Sequence, residues 1–152
     1  MFTQNNYSYT PVNIRNYRLV PVNNQLNFKG LTILEYFNLI YIDGYFLEAI
    51  YELLQNYHGF SYEGCYGYYP NWNSPYSEDH FEEGLVCFAI CFDDEDNRIY
   101  ISERQFFRYA KSACQRFLEI HTEYNDFIMN ILNNWKPKYP DKFPDTIDGN
   151  TV

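Results

Sequence analysis

The chain has 152 residues, enough for one domain with a real hydrophobic core, and 11 Lys and Arg against 20 Asp and Glu give it a net charge of −9. That sign disfavours nucleic acid or an anionic membrane as partner and favours a basic one. Aromatic residues are 21% of the chain, with 17 Tyr and 13 Phe; so much Tyr fits a binding surface and equally fits the codon bias of an AT-rich genome.

Residues 1–30 are dense in Asn, hold no carboxylate and carry Arg15, Arg18 and Lys29. They read as a partly flexible lead whose first dozen residues are mobile. An edge strand can form over residues 16–22, with Pro21 barring it from a sheet interior. The start MFTQNNYSYT has neither a basic beginning nor an apolar middle, and no apolar run approaches the ~18 residues of a membrane span. Neither an export signal nor a span is expected.

Residues 31–135 are expected to be a single α+β domain. Ile33, Leu34, Phe37, Ile40 and Tyr41 share one face of a helix over about 33–42, with Thr32 as its cap. Asp43-Gly44 makes a corner into a second helix over about 45–57, which turns Phe46, Leu47, Ile50, Leu53 and Leu54 inward and ends at Gly59. Residues 60–69 read as a strand weakened by Gly64 and Gly67, marking a bulge. Two prolines and several turn residues make a loop of 70–83.

Leu85 to Phe92 is an unbroken apolar run, suited to a buried central strand over about 85–92 in a small, mainly antiparallel sheet. A polar turn at 93–97 returns it through Arg98-Ile99-Tyr100-Ile101. Ser102 with Gln105 forms a capping box that opens a helix over about 103–120. Phe106, Ala110, Ala113, Cys114 and Phe117 form its inward stripe, with Leu118 beyond. A last helix, about 123–134, follows Thr122 and buries Phe127, Ile128, Ile131 and Leu132. Residues 136–152 hold three prolines and no periodicity, and are expected to be an extended or frayed tail.

Charge is segregated along the chain. Between Leu31 and Asn97 all thirteen charged residues are acidic, and eight of them fall in the turns flanking the central strand: Glu78, Asp79, Glu82 and Glu83, then Asp93, Asp94, Glu95 and Asp96. A strand of that length sets the two turns roughly 25–30 Å apart, too far for one compact partner site. Acidic turns also keep a chain soluble. Here, however, the acidic span is interleaved with Tyr66, Tyr68, Tyr69, Trp72 and Tyr76. Carboxylates that pair with Lys and Arg, beside rings that fill a cleft, suit a basic protein partner.

Catalytic readings find little support. His58 and His121 fall at helix ends, where a protonated ring suits the dipole, and His80 lies beside Asp79 in the acidic loop. No nucleophile elbow, phosphate loop or zinc-protease pattern is present. Asp93 to Asn97 lacks the central Gly of a calcium loop, and its twelfth position is Arg104. Cys65, Cys87, Cys91 and Cys114 read as buried thiols rather than zinc ligands, and with no export signal they point to the cytoplasm. Neither cofactor nor metal is expected, and no enzyme.

The run from Asp43-Gly44-Tyr45-Phe46-Leu47-Glu48-Ala49, through Phe81-Glu82-Glu83-Gly84 and Ile101-Ser102-Glu103, to Ala113-Cys114 and Leu118-Glu119-Ile120-His121 resembles a known family. It is similar to the immunity proteins of contact-dependent growth inhibition systems, and more narrowly to the CdiI-type family that protects against ribonuclease toxins. The resemblance spans about residues 33–132. It implies a small cytoplasmic antitoxin without catalysis of its own, which binds the C-terminal nuclease domain of a large secreted protein and covers its RNA-binding or active-site surface. The toxin-binding residues expected are the aromatic and acidic ones named above, from charge and ring placement. An acidic adaptor with a different basic partner is the alternative.

Overall fold

The computed structural model describes residues 8–12, 28–90 and 97–144. In chain order the elements are helix α1 (Phe28–Ile42), helix α2 (Phe46–Ile50) running into a π-helical turn (Tyr51–Gln55), and strands β1 (Cys65–Tyr68), β2 (Leu85–Ile90) and β3 (Ile99–Ser102). Helices α3 (Glu103–Ile120) and α4 (Asn125–Asn134) complete the fold, with 3-10 turns at Ser77–Asp79 and Thr122–Tyr124. The strands form one antiparallel sheet in the order β1-β2-β3, so the apolar run from Leu85 is the central strand, as expected of an α+β fold. Cys91 and Phe92, the end of that predicted strand, lie outside the described residues, as does the turn of Asp93 to Asp96.

Side chains alternate across a strand, so the register sorts them into two faces. Gly67, Phe88 and Ile99 form one row across the sheet; Tyr68, Cys87 and Tyr100 form the next. The first row faces the helices. Phe88 meets Tyr36 of α1 edge-on with ring centroids 4.9 Å apart, and Phe106 of α3 at 5.3 Å. A Cβ on Gly67 would lie 2.7 Å from the Phe88 ring and 3.1 Å from Tyr36, so this glycine makes room for two rings. The bulge expected at Gly67 is absent, because β1 pairs with β2 without interruption. The second row faces a loop instead of a helix. Phe81 packs edge-on against both Tyr68 (5.9 Å) and Tyr100 (5.1 Å). Beneath it Cys87 hydrogen-bonds to both tyrosines.

Helix α1 is the hub. It buries Tyr36, Phe37, Ile40 and Tyr41 completely, and Gly30, Thr32 and Asn38 as well, so it is enclosed on more than the single face its periodicity predicts. Thr32 is not its cap. The helix begins four residues earlier, and the Thr32 hydroxyl donates to the Phe28 carbonyl at 2.9 Å within it. Gly44 turns the corner at φ 88°, a conformation that favours glycine. The inward residues of the second helix are all buried as expected, but the helix stops at Gln55 rather than 57. Gly59 has a different task from ending it. A Cβ there would lie 2.7 Å from the Gly67 carbonyl oxygen, and its absence lets Phe60 N–H pair with that oxygen along the β1 edge.

Helix α3 opens with the N-cap half of the predicted box: the Ser102 hydroxyl accepts from the Gln105 N–H at 3.1 Å, while Gln105 Oε1 does not return a bond to Ser102. Its inward stripe is buried throughout, with Leu118 half-buried; on α4, Ile128, Ile131 and Leu132 are buried and Phe127 half-buried. His121 ends α3 and, rather than standing out at the helix end, turns its ring inward, with Glu123 3.8 Å from its Nδ1. It is buried against Phe117 and Tyr9, its Nε2 bonds the Tyr41 hydroxyl at 2.8 Å, and burial pushes its pKa down. Within the lead expected to be mobile, the described residues 8–12 are tied to the core. The Tyr9 hydroxyl donates to the Tyr41 carbonyl at 2.7 Å and accepts from Phe46 N–H at 3.0 Å, while Tyr124 donates to the Ser8 carbonyl. The edge strand read at 16–22 lies outside the described residues.

Candidate functional site

The loop of residues 70–83 is held by its own hydrogen bonds. Asn71 N–H donates to the Asp79 carbonyl at 2.8 Å and closes it. Inside, Asn71 Oδ1 accepts from Asn73 N–H, the Ser74 hydroxyl donates to the Asp79 carboxylate at 2.5 Å and accepts from Tyr76 N–H at 3.1 Å, and His80 Nε2 pairs with the Ser74 carbonyl at 2.8 Å. Asn and Ser side chains that mimic backbone turns are what a short loop needs to dispense with a ladder. Trp72 anchors the base: its Nε1–H donates to the Phe81 carbonyl at 3.1 Å and its ring stacks on His80 at 4.9 Å.

Two rings stand out from this frame. Trp72 is 58% and Tyr76 63% exposed, the two most exposed large hydrophobic side chains among the described residues. Glu78 beside them is exposed and Asp79 faces Ser74. Glu82 is exposed and lies 3.8 Å from Lys142, and Glu83, half-buried, is hydrogen-bonded to the Tyr139 hydroxyl. Tyr66 and Tyr68 sit on the loop side of β1, where burial, and then the bond to Cys87, pushes the Tyr68 pKa up. Tyr69 turns elsewhere: its hydroxyl donates to the Leu53 carbonyl at 2.6 Å. Thus Trp72, Tyr76 and Glu78 share one loop, with Tyr68 underneath and Glu82 and Glu83 at its end. Asp93, Asp94, Glu95 and Asp96 lie outside the described residues.

Sequence reasoning missed a second feature. Residues 136–144 are not frayed; they lie as a strap across the start of β2 and α3. Glu103, only 3% exposed, accepts the backbone N–H of Lys138 at 2.9 Å on one carboxylate oxygen and that of Tyr139 at 2.8 Å on the other. The Tyr57 hydroxyl donates to the Lys136 carbonyl at 2.7 Å, and Phe143 lies against Gly84. Nothing near Glu103 in the sequence marks it as the holder of a segment 35 residues on. Between the strap and the end of β1 remains a cleft of about 340 Å³, with Tyr57, Tyr69, Asn71, Glu83 and Tyr139 among its walls.

Cys65, Cys87 and Cys114 are buried, and Cys91 lies outside the described residues. Burial raises Cys87 to about 11 and Cys114 further. His58 Nδ1 sits 3.6 Å from the Glu52 carboxylate. Among the described residues no cluster of His, Cys, Asp and Glu could hold a metal ion, and no helix is long and apolar enough to cross a membrane. No curated protein matches the chain. The CdiI_4 family model, described as CDI immunity protein, matches residues 29–132, from the second residue of α1 to the last buried turn of α4. The match takes in the sheet, the braced loop and the helices around them, and the chain therefore belongs to the CDI immunity protein family.

Proposed function

We propose that this immunity protein neutralises a basic ribonuclease toxin by binding it through the face that carries Trp72, Tyr76 and Glu78, so covering the toxin's RNA-binding or active-site surface. The toxin is the nuclease domain at the C-terminus of a large secreted protein, the encounter is cytoplasmic, and the immunity protein catalyses nothing. One observation carries the reading: two large rings are held out in solvent on a loop braced by internal hydrogen bonds. Exposed apolar rings cost free energy in the unbound protein, and a rigid loop loses little entropy when they are buried in a partner. Trp and Tyr in that setting are the side chains on which binding energy concentrates. The charge of −9 suits the choice of partner. A nuclease that grips phosphates presents lysines and arginines, which carboxylates can engage in the phosphates' place.

Stoichiometric mixing with the toxin domain encoded beside it tests this directly. The intact protein is expected to abolish RNA cleavage by that toxin and leave unrelated nucleases untouched. Trp72→Ala combined with Tyr76→Ala should weaken binding about 100-fold or more, the scale of two hot-spot side chains. Full protection by that double variant would remove the loop from the interface; failure of the intact protein to inhibit would remove the function, and capture of another basic protein would favour an adaptor.

A further inference from the structure

We propose that the strap of residues 136–143 completes a second recognition element, a cleft that receives a lysine or arginine side chain of the toxin against Glu83. This rests on the toxin-inhibitor reading and adds a contact to it. The strap lies beyond the matched residues 29–132. It is nevertheless built into the native fold. A carboxylate as buried as that of Glu103 is strongly unfavourable unless hydrogen-bonded, and the strap's two amides supply its bonds. Gly84 seats the strap closely: a Cβ there would lie 3.2 Å from Lys142 and 3.3 Å from the Phe143 ring.

The chemistry of the cleft is what remains after these bonds are made. Both Glu103 oxygens hold the strap, the Tyr69 hydroxyl is turned to Leu53, and the Tyr57 hydroxyl is engaged with Lys136. Glu83 is different. It is held by one hydroxyl, that of Tyr139, and a carboxylate accepts up to about four hydrogen bonds. The rings of Tyr57, Tyr69 and Tyr139 also line the cleft, as do His58 and Lys138, the latter exposed, so that its ammonium can turn to solvent when another cation enters. An anion among aromatic rings selects a cation on a long stem, since the rings take the methylenes and attract the charge. A volume of about 340 Å³ lies at the small end of ligand pockets, suited to one side chain rather than a loop. The cleft adjoins the braced loop through Asn71, so one partner can reach both.

Calorimetric titration of the full chain with the toxin domain tests the inference, using Glu83→Gln, which removes the charge and keeps the shape, and Tyr139→Phe, which removes the hydroxyl and keeps the strap amides. Each is expected to bind at least about tenfold more weakly, as loss of one desolvated charge pair or of its support would give. Thermal midpoints should stay within ~2 °C of the parent, so that a folding defect is not read as a binding one. The deficit of Glu83→Gln should shrink as salt is raised, since a cationic occupant is screened. Binding by both variants within about twofold of the parent, or a Glu83→Gln deficit unchanged by salt, overturns the cleft while leaving the function standing. Absence of binding by the parent protein overturns both.

Discussion

The two faces of the central strand are covered in opposite ways. On one, Phe88 is enclosed by Tyr36 and Phe106 from two helices, a closely packed layer with its hydroxyl satisfied where Tyr36 donates to the Phe60 carbonyl at 2.6 Å. On the other, Cys87 lies beneath Phe81 and a loop that is fastened to itself by side-chain hydrogen bonds. The helical side is built from area removed from water, and that is where folding free energy resides. The loop side holds its shape by local bonds, which leaves Trp72 and Tyr76 available to a partner. Division of labour by face lets the contact surface change without a cost to the core.

Phe88→Ala leaves a cavity between two rings and should cost about 3–5 kcal/mol in a denaturant titration. The fraction that remains folded should still bind toxin. A smaller effect is expected at the far end of the helical layer, where His121 is buried with its pKa lowered from an ordinary 6.5. The unfolded chain then takes up a proton more readily than the folded one, so this group subtracts stability as pH falls below about 6.5. Melting temperatures between pH 7 and 5 should decline, and His121→Gln should flatten that decline. The smallest stability change belongs to the other face: Tyr76→Ala should move unfolding by no more than about 0.5 kcal/mol while toxin affinity drops sharply. A large loss of stability there would show that the loop is structural rather than presented.

Much of the helical side was legible in the sequence. The apolar run from Leu85, the Ser102 cap and the Phe106-Ala110-Ala113-Cys114-Phe117 stripe are local patterns, and locality is what periodicity reads. The hub role of α1 was less visible, because a helix enclosed on several sides has no sharp apolar stripe and its Thr32 resembles a cap. The loop was read correctly as a loop, with Trp72 and Tyr76 as contact candidates, but its bracing depends on which of several Asn, Ser and Asp side chains face inward. The anchoring of the two terminal segments was not legible at all. Tyr9 is one tyrosine among 17, and nothing near it in sequence announces Tyr41 and Phe46 as partners. Glu103 bonds to amides 35 and 36 residues away, and proline-rich composition conceals a segment that is fixed through its backbone.

The thiols turn this arrangement into something measurable from within. Alkylating reagents attack the thiolate, and burial holds Cys87 at about 11 and Cys114 higher, so neither reacts while its layer is shut. Cys87 lies under the loop and Cys114 inside the helical packing. Cys87 thus reports on the loop side and Cys114, with Cys65 also in the core, on the helical side, and modification rates resolved by site tell which layer opens first.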